Sequence, residues 1–77
     1  MEIQILVFGQ AQEITRKSTW SEVNTKDTEA LIYKLSQDFP QLSVINYALA
    51  VNKIIIHQNT ELSDGDVVAI LPPFSGG

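Results

Sequence analysis

Only one stretch of this chain carries a clear helical period, and the segments around it read as strands. Thr28, Leu31, Ile32, Leu35 and Phe39 recur at three- and four-residue spacing, while Glu29, Lys34, Gln37 and Asp38 fall mainly elsewhere. Asp27 stands where an N-cap carboxylate accepts from the free N–H groups of the first turn, and Glu29 in that turn complements the helix dipole. Pro40 stops the helix at or just before Phe39. One helix of about three turns, apolar on one side, cannot bury that side by itself and needs a sheet to cover it.

The sheet is written on both sides of the helix. From Ile3 to Phe8 the residues alternate, with Ile3, Ile5 and Val7 on one face and Gln4, Leu6 and Phe8 on the other. Gly9-Gln10 ends this strand, and the polar stretch to Ser18 reads as a loop or hairpin turn. Thr19 to Val23 is a second short strand with Trp20 in register to pack, and two strands joined locally form an antiparallel hairpin most simply. After the helix, Tyr47 to Val51 reads as a third strand, Asn52-Lys53 as a turn and Ile54 to Ile56 as a fourth strand. Glu61 to Asp66 is a turn with Leu62 plugging back into the core, and Val67 to Leu71 is the last strand.

The order β-β-α-β-β-β lets the helix lie across one sheet face and the last strand run parallel to the first, because the helical crossover makes that pairing possible. This is an α+β, ubiquitin-like β-grasp: a mixed five-stranded sheet with one main helix on one face. Residues 1–71 make the domain and residues 72–77 an extended tail. The helix side then carries Ile3, Ile5, Val7, Leu31, Leu35, Leu62, Val68 and Ile70. The opposite side brings Leu6, Phe8, Ala69 and Leu71 together, and a contiguous apolar patch beside a protruding tail reads as a docking face.

Size and charge narrow the function. The 77 residues make one small domain that buries about 60% of its unfolded surface, without room for a cleft between lobes. With no cysteine, disulfides, thiolate metal sites and thiol catalysis are excluded. The net charge of −4 argues against nucleic acid, because phosphate binding needs a basic face. No basic leader precedes the first strand and no apolar run is long enough to span a bilayer, so the expected location is cytoplasmic and away from membranes. His57 has no acidic or ligating partner at metal spacing and reads as a surface residue; Asp64 and Asp66 around Gly65 read as turn formers; Trp20 reads as a packing residue.

The tail is Pro72-Pro73-Phe74-Ser75-Gly76-Gly77. The two prolines hold φ near −65° and favour an extended path. Six extended residues reach roughly 20 Å, enough to enter another protein's pocket. Gly76 and Gly77 bury no side chain but let a main chain pass through a channel too narrow for a Cβ. The candidate reacting group is therefore the terminal carboxylate of Gly77.

The run from Leu62 through Asp64-Gly65-Asp66, the strand Val67 to Leu71 and Pro72-Pro73-Phe74-Ser75-Gly76-Gly77 resembles the ending of the small, sulfur-carrying subunit of molybdopterin synthase. Leu6-Val7-Phe8-Gly9-Gln10 followed by Glu13-Ile14, and Ala50-Val51-Asn52, resemble that family's opening strand and middle turn. Two positions depart from it: Gln12 where an Arg is common, and Phe74 where a Val is common. The resemblance covers essentially the whole chain. It implies a non-catalytic carrier within a heterotetrameric sulfurtransferase complex. A partner enzyme adenylates Gly77 with ATP, a sulfur donor displaces AMP to leave a thiocarboxylate, and the large subunit uses it to build the molybdopterin dithiolene from cyclic pyranopterin monophosphate. It further implies that Pro72, Pro73, Phe74, Ser75 and Gly76 occupy the partner's pocket, that Leu6, Phe8, Ala69 and Leu71 dock, and that ATP binds the partner while this chain holds no cofactor. Two other readings share these features: a thiazole-pathway sulfur carrier or ubiquitin-like protein modifier, and an interaction module whose tail is a passive peptide ligand.

Overall fold

The opening alternation becomes β1 (Glu2–Val7) in the computed structural model, which describes residues 1–72. It pairs antiparallel with β2 (Thr19–Val23), Ile3 opposite Glu22 and Ile5 opposite Trp20. The long helix α2 (Thr28–Asp38) follows, then β3 (Ala48–Val51), β4 (Ile54–Ile56) and β5 (Val67–Leu71). The sheet order is β2-β1-β5-β3-β4. β5 runs parallel to β1, Ile5 beside Val68, and antiparallel to β3. The fold is the expected ubiquitin-like β-grasp.

The stretch after β1 is not the loop or turn expected from its polarity. It contains a short helix, α1 (Gln10–Thr15), closed by Arg16 in the left-handed conformation with its N–H on the Gln12 carbonyl. Six residues are too few to show a period. What holds the helix is tertiary: Ala11 and Thr15, four apart, are buried, and Ile14 packs on the core. A second unread element is the 3-10 turn Pro40–Val44, which buries Leu42.

α2 starts as anticipated. The Asp27 carboxylate accepts from Ala30 N–H at 2.8 Å, and Asn59 ties the same turn to the loop before β5 by accepting from Glu29 N–H at 2.9 Å. Its buried side is Thr28, Leu31 and Leu35. Ile32, read from its spacing as part of that side, is instead 41% exposed. It lines a shallow open hollow together with Tyr47, Ile56 and His57 rather than being covered. Tyr47 itself falls one residue before β3.

All eight residues assigned to the helix side of the sheet are buried, together with Ala11, Leu42, Leu49 and Val51. The period of two demands this arrangement, since a one-residue slip in β1 would turn Ile3, Ile5 and Val7 to the open face. At the rim, Trp20 packs on Phe39 with ring centroids 5.7 Å apart. The buried Glu22 is satisfied twice, by Trp20 Nε1 at 2.7 Å and by Lys34 Nζ at 2.6 Å, so that side chains of β2 and α2 share one carboxylate.

Candidate functional site

Among the described residues, no helix lies over the side of the sheet away from α2. Because opposite residues in a ladder share a face, Leu6, Ala69, Ala50 and Ile55 form one row across β1, β5, β3 and β4. Ala50 and Ala69 are small and make a floor; Leu6, Phe8, Leu71 and Ile55 stand around it. The result is an apolar groove of about 550 Å³, closed at one end by Val67, Asn52 and Lys53. Phe8 is 47% exposed on its wall.

That closed end is fixed by hydrogen bonds. Asn52 and Lys53 both have positive φ, 50° and 74°, which the tight β3–β4 turn requires. Asn52 Oδ1 accepts from Val67 N–H at 2.9 Å, and its amide donates to Asp66 at 3.0 Å. Asp66 also accepts from Ser63 N–H at 2.8 Å. The Asn52 amide first, then the Ser63 N–H, hold the Asp66 carboxyl below its ordinary range. Asp64 accepts from Glu2 N–H at 2.8 Å. Both aspartates are turn formers, as expected.

At the other end of the groove the chain leaves the sheet. Phe8 N–H donates to the Ile70 carbonyl at 2.9 Å. In a parallel ladder the next bond would come from residue 72, and Pro72 has no N–H to give. That ladder bond is missing for a covalent reason. Pro72 is exposed and lies against Gly9, whose φ is +67°.

The structure therefore places Leu6, Phe8, Ala69 and Leu71 on one surface, next to Pro72. Pro73, Phe74, Ser75, Gly76 and Gly77 lie outside the described residues. Sequence reading missed Ala50, Ile55, Val67, Asn52 and Lys53 as members of this groove. Alternation in the third and fourth strands carried the signal for Ala50 and Ile55, but only once the strand order is known. His57 is exposed, and among the described residues no three His, Cys, Asp or Glu side chains gather as a metal site. Nor is any helix there long and apolar enough to cross a membrane.

A model described as the ThiS family matches residues 5–77. This chain belongs to the ThiS family. Within reach of it, a molybdopterin synthase sulfur carrier subunit from Mycobacterium tuberculosis is 33% identical over 82 residues, covering 100% of this chain and 99% of that one. The complex of subunits 1 and 2 of molybdopterin-converting factor from Helicobacter pylori contains a similar chain, 28% identical, with both chains covered at 100% and a TM-score of 0.75. The small archaeal modifier protein 1 of Methanosarcina acetivorans shares the fold, with a TM-score of 0.81 at 21% identity over 99% of this chain and 96% of that one.

Proposed function

We propose that this ThiS-family chain is the sulfur carrier of a molybdopterin synthase, with the carboxylate of Gly77 as the group that is loaded. The observation that carries the reading is the junction of two features. The apolar groove opens beside Pro72, the residue that has no N–H to give the next ladder bond, in a chain whose sequence continues to Gly76-Gly77. The names of the curated relatives support the pathway, and the Helicobacter pylori complex supports a large-subunit partner.

An α-carboxylate with a reference pKa of about 3.3–3.7 is ionised at neutral pH and is a poor acyl donor. Loading therefore begins when a Gly77 carboxylate oxygen attacks the α-phosphate of ATP and releases pyrophosphate. In the acyl-adenylate AMP is a leaving group. A sulfur nucleophile attacks the acyl carbon, the bond to AMP breaks with its electron pair on the phosphate oxygen, and a thiocarboxylate remains. The large subunit then takes that sulfur for the dithiolene on cyclic pyranopterin monophosphate, and hydrolysis of the acyl link returns the carboxylate. ATP belongs to the activating partner: the glycines here are Gly9, Gly65, Gly76 and Gly77, and none sits in a phosphate-binding loop motif. In this reading the tail, Pro72 through Gly76, enters the partner, Leu6, Phe8, Ala69 and Leu71 seat the body against it, and the work is cytoplasmic.

The test is intact mass. Incubation with ATP, the activating enzyme and sulfide should raise the mass by the difference between sulfur and oxygen, and addition of the large subunit with the pterin precursor should reverse the gain as dithiolene forms. A chain that is never adenylated, and whose mass does not change, overturns the reading.

A further inference from the structure

We propose that Gly9 is a positioning residue for sulfur delivery: its missing side chain is the seat of the Pro72 ring, and that seat sets the direction in which the chain leaves the sheet. The inference rests on the carrier reading above. Gly9 follows β1 with φ 67° and ψ −144°, a conformation that glycine adopts freely and L side chains rarely do. That would make glycine a local necessity and nothing more. A separate observation ties it to the tail. A methyl group on Gly9 would stand 3.3 Å from Cβ and Cγ of Pro72 and 3.4 Å from its Cδ, inside the usual carbon–carbon separation of about 3.5–4.0 Å.

Something must give, and the neighbours decide what. Leu71 is held in the ladder opposite Ala48, and Ile70 by Phe8 N–H. The proline ring is stiff. Relief comes from swinging the chain outward at Pro72. Five further residues in extended form span about 16 Å, so a swing of about 5–10° moves the end by about 1–3 Å. A misplacement of about 1 Å at a reacting centre is enough to slow chemistry on the order of a hundredfold.

The experiment is a cycle of Gly9→Ala, Pro72→Gly and the double variant in the full chain. Each is thiocarboxylated and then mixed with the large subunit and pterin precursor, with kcat read at saturating carrier and Kd measured separately. Gly9→Ala should lower kcat by at least about tenfold and change Kd less than about threefold; with Pro72→Gly present the same substitution should change kcat less than about twofold. The melting temperature should fall by a similar amount in both backgrounds, because the φ strain does not involve the ring. An equal loss of kcat in both backgrounds overturns the seat. So does the absence, in the free wild-type chain, of a nuclear Overhauser contact between the Gly9 α-protons and the Pro72 ring, a readout that needs no variant to fold. A wild-type chain that takes up no sulfur sinks the carrier reading and the role in delivery with it. A wild-type chain that delivers sulfur no faster than Gly9→Ala sinks the seat alone.

Discussion

Ile5 and Phe8 lie three residues apart on one strand run and face opposite ways, so truncating each should damage a different property. Ile5 is 0% exposed between sheet and helix, and Ile5→Ala removes buried methylenes from a close-packed site. The expected loss of folding stability is about 2–5 kcal/mol, a large share of what a small domain has. Phe8 is 47% exposed on the groove wall. An aromatic side chain offers roughly 200 Å². About half of it, near 90 Å², is left to be covered by a partner, which at 25 cal/mol per Å² is about 2 kcal/mol, or roughly thirtyfold in affinity. Phe8→Ala should therefore weaken binding to the large subunit by about that factor, and lower stability much less than Ile5→Ala does. Urea midpoints report the first quantity and titration calorimetry with the isolated large subunit the second. Similar urea midpoints for the two variants would refute the facing assignment. Unchanged affinity in Phe8→Ala would move the interface off this groove.

Further outcomes test neighbouring claims. Ala69→Phe fills the groove floor from the open side, so circular dichroism should stay unchanged while affinity for the large subunit falls by at least about tenfold, read in the same titration. Deleting Gly77 withdraws the terminal carboxylate by roughly 3.3 Å and should abolish sulfur transfer while most of the docking energy survives, checked by dithiolene formation beside a binding assay. Appending a residue after Gly77 should do the same, with mass spectrometry to exclude trimming. The last concerns acid. Asp27 is held below its ordinary range first by the Ala30 N–H and then by the Asn59 amide, and Asp66 first by the Asn52 amide. A depressed carboxylate contributes stability that is present above the unfolded pKa and lost as pH falls through the lower folded value. Asp27→Asn and Asp66→Asn should each flatten the fall in urea midpoint below about pH 4, and an acid limb as steep as wild type in both would show that these bonds do not matter.

Much of this molecule is legible in one dimension because its signals are local. Alternation in Ile3 to Phe8 and Val67 to Leu71 assigns faces with no knowledge of neighbours, since the pleat has a period of two whatever lies beside it. The Asp27 cap and the Pro40 stop act within one turn of chain. The four open-face residues Leu6, Phe8, Ala69 and Leu71 follow from the same alternation once β1 and β5 are paired. The tail's composition, from Pro72 to Gly77, was readable without any fold at all.

What the sequence could not settle depends on contacts between distant segments. α1 is too short to have a period and is a helix because Ala11 and Thr15 find the core. Ile32 matches the helical stripe yet stays exposed, because what covers each flank of a helix is not written in the helix. Ala50 and Ile55 join the groove only through the strand order, which long-range ladders decide. The meeting of Gly9 with Pro72 is of the same kind. A glycine after a strand and a proline after another are each unremarkable in sequence. Only the parallel pairing of β1 with β5 brings their ends together, where a single Cβ would be too much.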